Sequence, residues 1–387
     1  MPRPERSLNL VAAGSDDYRR RARRILPRQL FDYVDGGANS EATVRANRRD
    51  LDAIEFRQRV LRDVAGPTTA TTVLGQPLAQ PLILAPVGFA GMMARRAEVQ
   101  AATAAAHQGV PFVESTLSIC SLEEVAQAAP PPWFQLYIMR DRGYAAALLE
   151  RAQAARCPVL VLTVDLAVVG RRLRDVRNGI DATLGPWGRW RRSADLAAHL
   201  RWAVDVGRRG RPLRFGNLEA AVPDARLPTD FQRWIATQFD PSVTWDDLLW
   251  VRERWTGPLV VKGILEPDDA ARAVDCGADA VIVSNHGGRQ LDSAPSTIRA
   301  LPAVVDAVGG RTEVLMDGGV RSGQDVARAL ALGARACLVG RPWVYAVAAE
   351  GTRGVDRLLT LMRDELVVTM ALTGSRDLAD LGPHILR

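Results

Sequence analysis

Eight short apolar runs, separated by Ala-rich stretches of helical period, constrain this 387-residue chain more than any other feature. They are Leu82–Ala85, Pro111–Val113, Trp133–Tyr137, Val159–Val164, Leu259–Lys262, Ala280–Val283, Glu313–Met316 and Ala336–Val339. Each has the length of a buried strand and most are flanked by Gly or Pro, which interrupt helices. Helical stretches over 98–107, 143–155, 267–276 and 323–332 lie between them. Strands that are apolar throughout, alternating with helices, imply a parallel sheet covered by helices. Eight such units, followed by a C-terminal helix over Val355–Leu372, predict an α/β fold of the (β/α)8 or TIM-barrel type. A doubly wound open sheet is the alternative, but it lacks an early Gly-rich turn after the first strand.

The chain reads as one domain, 1–387, with N-terminal helices before about residue 70 and a barrel over about 71–375. The spacing breaks once, after the fourth strand, where about 174–245 is too long for one crossover helix and predicts an insertion. Gly170–Phe215 holds twelve arginines against four aspartates (Asp175, Asp181, Asp195, Asp205), a local charge of +8 against +6 for the whole chain. Trp187, Trp190 and Trp202 are interleaved with these arginines. Interfacial tryptophan with basic charge is the pattern of a segment lying on an anionic bilayer, and a solvated arginine-rich loop is its alternative.

Other classes are disfavoured. No apolar stretch approaches the about 18 residues a membrane span requires, and Met1–Gly14 makes a poor secretion signal. Cys120, Cys157, Cys276 and Cys337 are scattered, as are the four histidines, so neither a disulfide framework nor a metal site is expected. No nucleic-acid module is recognisable. The expectation is a cytoplasmic protein with reduced core thiols, peripheral on the inner face of the cell membrane.

In a barrel of this type the carboxyl ends of the strands build the site. In order they carry Pro86-Val87-Gly88, Ser115-Thr116, Gln135 and Tyr137, Thr163 and Asp165, Lys262, Ser284 and His286, Asp317-Gly318-Gly319, and Gly340-Arg341. The last two ends have the glycine backbone and arginine of a barrel phosphate site. Singly, most have bland readings: Ser115 and Thr163 finishing strands, Gln135 satisfying a loop, Asp165 capping a helix, the glycines making tight turns, Tyr33 in a helix core. What distinguishes the set is that polar residues stand at every strand end and seldom inside the strands.

Two segments sharpen this reading. Ser284-Asn-His-Gly-Gly-Arg-Gln-Leu-Asp292 places a base and a fixed cation three residues apart at a strand end, with only glycine between them. Lys262 is the single lysine among 50 basic residues, so a compact ammonium stands where a planar guanidinium fork does not. Chance in an arginine-biased composition is the alternative.

With these segments the chain resembles the FMN-dependent L-2-hydroxy acid oxidases and dehydrogenases from Asp17-Tyr18 to Leu372-Thr-Gly374. Ser284–Asp292 matches the family signature; Leu30-Phe-Asp-Tyr33, Trp133–Tyr137, Leu162–Asp165, Val261-Lys-Gly263 and Asp317-Gly-Gly-Val-Arg321 match further motifs. Ala85–Gly88, Met93–Glu98 and Arg140–Gly143 read most like the bacterial membrane-associated L-lactate dehydrogenases, with mandelate dehydrogenase next. The resemblance implies His286 as general base at the substrate C2 centre, by a carbanion or a hydride route, with Asp165 orienting it. It implies Arg172, Arg289, Tyr33 and Tyr137 around the substrate carboxylate and 2-oxygen, and Lys262 beside flavin N1/O2. Pro86, Val87, Gly88, Ser115, Gln135, Thr163 and Ser284 would contact the isoalloxazine and ribityl groups. Asp317, Gly318, Gly319, Arg321, Gly340 and Arg341 would take the FMN phosphate, and a homotetramer is the implied assembly.

Two departures bear on substrate and acceptor. Gly88 stands where oxygen-using oxidases usually have alanine, which implies a quinone or other membrane acceptor rather than oxygen. Leu117 stands where glycolate oxidase has tryptophan, and Asp165–Gly170 looks more like the mandelate enzymes. L-lactate is the first expectation, with (S)-mandelate or another aryl 2-hydroxy acid second. Outside this class stand a flavin-free lyase using Lys262 as Schiff-base former and a non-catalytic barrel docking through Arg189–Arg214.

Overall fold

Eight parallel strands follow one another around a barrel in the computed structural model, which describes residues 10–179, 184–222, 234 and 237–387. The expectations for residues 1–9, for Asp181 and for 223–233 fall outside the described residues. Helices α1 (Ser15–Ile25), α2 (Arg28–Asp35) and α3 (Ala42–Asp52) precede the sheet, as expected. The first barrel strand begins at Leu82, as expected, but what precedes it was not foreseen. An antiparallel ribbon, β1 (Thr71–Val73) and β2 (Gln76–Leu78), comes before the first barrel strand. It places Val73 and Leu78 against the barrel interior, while Trp133 Nε1 donates to Gln76 Oε1 and Leu74 N to Glu313 Oε2. Two three-residue strands are too short to show a period in sequence.

The barrel strands are β3 (Leu82–Leu84), β4 (Val113–Ser115), β5 (Trp133–Leu136), β6 (Leu160–Thr163), β7 (Leu259–Ile264), β8 (Ala280–Val283), β9 (Glu313–Met316) and β10 (Ala336–Val339). The sheet runs β3-β10-β9-β8-β7-β6-β5-β4, and a parallel bridge between Leu84 and Phe112 closes the ends. The open-sheet alternative is thereby excluded. The expected C-terminal helix is present and runs to Thr373; Gly351, non-helical at φ +63, separates it from a preceding helix that begins at Arg341.

Strand parity positions the site. Ile83, Val113, Trp133, Val161, Val260, Ile282, Leu315 and Leu338 fill the barrel interior, while Leu160, Leu162, Val261, Val281, Val314 and Val339 pack under the helices. Because side chains alternate along a strand, every second residue faces inward. Ser115, Gln135, Thr163, Lys262, Ser284, Asp317 and Gly340 each lie two residues beyond an interior residue, so they share the inward parity at the carboxyl end.

The insertion is anchored in its middle and near its far end. Phe215 and Leu218 are buried in the core, and Asn217 accepts from Leu122 N and donates to Ser115 O. Further along, Phe239 pairs with Met139 and Arg140 N donates to Gln238 O. Ahead of both anchors the Pro186–Ala198 helix buries none of its residues, and Trp187 and Trp190, 68% and 60% exposed, stack on each other at 4.8 Å. Among the described residues no helix is long and apolar enough to cross a membrane. Cys120, Cys157 and Cys337 are buried and free, and Cys276 is half-buried and free.

Candidate active site

The strand ends surround a cavity of about 550 Å³ lined by Pro86–Gly88, Tyr33, Tyr137, Thr163, Lys262, His286, Arg172, Arg289, Asp317–Gly319, Arg321, Gly340 and Arg341. Ser115, Gln135 and Ser284 are buried and do not line it; Ser115 Oγ bonds Gln135 Oε1 at 3.1 Å.

His286 Nδ1 lies 2.8 Å from Asp165 Oδ1. The β7–β8 ladder slips one residue between Lys262 and Ile264, so Gly263 bulges with φ +115, and a Cβ there would come within 2.6 Å of Asp165. Glycine is what lets Asp165 reach the histidine. His286 itself has φ +56, a conformation that costs a non-glycine residue energy and recurs at functional sites. The chain continues left-handed through Gly287 and Gly288, where a Cβ on Gly288 would strike Val44 N at 2.7 Å. The two glycines between base and cation therefore carry the backbone against α3.

Electrostatics divide the roles. Burial holds His286 below its ordinary pKa, and Asp165 opposes this by favouring the imidazolium. Burial alone would raise Asp165, but the charges of His286 and Lys262 outweigh it and keep the carboxylate ionised. The paired imidazole thus presents Nε2 as a neutral base whose protonated form has a counter-ion ready. Lys262 Nζ donates to Ser284 Oγ at 2.9 Å and stands 3.2 Å from Asp317 Oδ2. Burial lowers its pKa, but Asp317 and Asp165 more than compensate, so it stays a cation.

The arginines ask for anions. Burial, then the charge of Arg172, brings the Arg289 guanidinium down to about 9, and burial brings Arg321 to about 10. Neither forms a carboxylate ion pair among the described residues. Arg289 donates through Nη1 to the Tyr33 and Gly36 carbonyls, and Arg321 through Nη1 to Val320 O. The Arg289 and Arg172 guanidiniums lie 4.9 and 5.7 Å from the Tyr33 ring. Burial, then the charge of Asp165, pushes the Tyr137 hydroxyl up, so it remains a donor. Arg341, expected at a phosphate, donates to the Val34, Gly36 and Gly287 carbonyls and so also clamps the end of α2 over the site.

A phosphate-bearing flavin suits this donor set. Half-buried Arg321 beside Gly318-Gly319 suits a phosphate, and Lys262 is a buried, fixed cation. Gln135 Nε2 and Asp317 Oδ1 are buried with no hydrogen-bond partner among the described residues. Such groups are costly unless something bonds them.

Sequence reading missed the residues that brace the signature and one that closes the pocket. Asn285 and Asn47 exchange two amide bonds of 2.9 and 2.8 Å. Gln290 holds the Asp165 and Val168 carbonyls and receives Gly170 N, and Asp292 caps the start of α3 through Ser40 and Thr43. Phe239, from the far end of the insertion, meets Tyr137 edge-on at 5.8 Å and lines the cavity. No local sequence signal connects residues 102 positions apart.

The sequence model of the FMN-dependent dehydrogenase family matches residues 22–387. An L-lactate dehydrogenase of Caulobacter vibrioides is 53% identical over 378 residues, 97% of this chain and 98% of that protein. An L-lactate dehydrogenase of Chromohalobacter salexigens is 50% identical over 378 residues, 97% and 96% of the two chains. The crystal structure of the monotopic membrane protein (S)-mandelate dehydrogenase superposes with a TM-score of 0.91 at 36% identity, covering 97% of this chain and 99% of that one. A mandelate oxidase superposes at 0.82 with 39% identity, covering 97% and 98%.

Proposed function

The chain belongs to the FMN-dependent dehydrogenase family and is an FMN-dependent 2-hydroxy acid oxidoreductase, and from that premise we propose that it oxidises L-lactate to pyruvate and passes the electrons to a quinone or another membrane acceptor. The observation that carries this reading is one cavity lined by a half-buried His286, paired to Asp165, and by two arginines, Arg289 and Arg172. A 2-hydroxy carboxylate needs that pairing: a fork for the carboxylate and a base for the carbinol centre.

FMN, when bound, supplies the acceptor for the two electrons that leave the substrate. The protein's own groups do the rest. Arg289 and Arg172 bind the carboxylate, and Tyr33 and Tyr137 orient it together with the 2-oxygen. His286 Nε2 takes the substrate proton, and the Asp165 carboxylate holds the resulting imidazolium. Lys262 keeps a positive charge at the flavin's polar edge, and Pro86–Gly88, Thr163, Ser115, Gln135 and Ser284 shape the flavin seat. Arg321, Gly318, Gly319 and Gly340 hold the phosphate, with Asp317 orienting Lys262 and Arg341 adding charge while fixing α2.

Lactate is favoured by relatives more than half identical to this chain. (S)-Mandelate is the second reading, favoured by the TM-score of 0.91 to its dehydrogenase. Gly88, where oxygen-using oxidases usually carry alanine, supports a dehydrogenase; a Cβ there would lie 3.1 Å from Leu117 Cβ, so Leu117 would have to shift slightly. The stacked, exposed Trp187 and Trp190 on an arginine-rich helix support peripheral contact with an anionic membrane. The test is anaerobic bleaching of the visible flavin band by L-lactate and by (S)-mandelate in turn, then admission of air. Bleaching by lactate with slow recolouring is expected; rapid recolouring would make the protein an oxidase, and no bleaching by lactate would remove it as substrate.

A further inference from the structure

A second cavity, of about 520 Å³, lies outside the barrel and shares no lining residue with the first. It is an open hollow lined by α1, the turn carrying Met93 and Ala94, the 201–206 part of the insertion, and the chain around Gly351. Its floor is apolar, with Ile25, Val206, Val347 and Trp202, and the Trp202 indole is fixed by donating to Met92 O at 2.8 Å. Four arginines and two carboxylates line it. Both carboxylates are engaged, Glu350 by Arg21 and Asp205 by Arg95 at 3.7 Å. Arg24, Arg201 and Arg353, all exposed, have no carboxylate partner among the described residues and line one hollow from three separate elements.

We infer that this cavity binds the head group of an anionic phospholipid, its phosphate held by Arg24, Arg201 and Arg353 and its first methylenes lying on the apolar floor. Like charges gathered without a counter-ion favour an anion, and guanidinium forks match phosphate oxygens bidentately. A free phosphate would leave most of the volume and all of the apolar wall unused, whereas an amphiphile uses both. Location supports the lipid as source. The helical segment that supplies Arg201, Trp202 and Val206 follows directly on the Pro186–Ala198 helix with its exposed tryptophans. The site goes beyond the proposed hydroxy acid chemistry, and only the choice of a lipid as the source rests on the proposed membrane contact.

The test is calorimetric titration of the holoenzyme with dihexanoylphosphatidylglycerol below its micelle concentration, so that no bilayer is present. Saturable binding is expected, with dihexanoylphosphatidylcholine and inorganic phosphate each about tenfold weaker or worse. Replacing Arg201 and Arg353 together with Gln should weaken the binding by about tenfold or more, with the flavin spectrum and dye-linked turnover unchanged. Replacing Trp187 and Trp190 with Ser should leave it intact, which separates a head-group site from general surface partition. Absent binding, equal affinity for the zwitterionic lipid, equal affinity for inorganic phosphate, or arginine variants binding like the parent would each overturn the proposal. If the arginine variants fail to fold, the ranking of the three ligands on the parent protein decides it.

Discussion

Replacing Asp165 by Asn tests the core of the proposed chemistry while preserving the shape of the site. The carboxylate lies 2.8 Å from His286 Nδ1, with both side chains largely shielded from solvent. With charge centres roughly 4–5 Å apart at an effective dielectric constant of about 20, the lost attraction for an imidazolium is about 3–4 kcal/mol. At about 1.4 kcal/mol per decade, proton abstraction should slow by roughly 10²- to 10³-fold. Burial already depresses the histidine's pKa and Asp165 is the group pushing it up. Without that push the folded pKa falls further, and because the base is active when neutral, the rising limb of kcat/KM should move to lower pH. The assay is anaerobic stopped-flow bleaching of the flavin by L-lactate across pH, with pyruvate affinity as a control on the carboxylate site. A loss under about fivefold, with an unmoved limb, would show that Asp165 does not serve the histidine's charged form.

Three further outcomes follow from the same structure. Arg289→Lys cannot hold the Tyr33 and Gly36 carbonyls and a substrate carboxylate together, so KM for lactate should rise roughly 30- to 100-fold, about 2–3 kcal/mol, with a smaller change in kcat; unchanged affinity would remove Arg289 as a carboxylate ligand. Phe239→Ala opens the cavity beside Tyr137, so the kcat/KM ratio of mandelate to lactate should rise about tenfold or more, and a constant ratio would show that Phe239 does not read the C2 substituent. Trp187→Ser with Trp190→Ser should cut co-sedimentation with anionic liposomes by about tenfold or more at unchanged dye-linked activity; undiminished sedimentation would place the membrane contact elsewhere. Point substitutions suit this test better than deleting 187–214, because Val206 is buried and Trp202 is bonded to Met92.

The barrel was legible because its cause is local. An apolar tetrapeptide bounded by breakers, such as Ala280–Val283 or Glu313–Met316, makes the same strand whatever surrounds it, and β8, β9 and β10 match the expected residues. Parity then determines which polar residue at each strand end faces inward, so Lys262, Ser284 and Asp317 were readable before any coordinates. The ribbon at Thr71–Leu78 was not readable, because each of its strands is three residues long and its stability comes from the barrel floor it covers. Tertiary structure alone decided that Phe239 closes the pocket, that Arg341 clamps α2, that Asn285 is locked to Asn47, and that three arginines from separate elements ring a second hollow. Those contacts join residues about 100 or more positions apart, where the chain carries no periodicity to reveal them. Sequence by itself determined the order of strands and the chemistry offered at their ends; the fold decided which of those groups meet, because their distances are set by packing across the barrel and not by spacing along the chain.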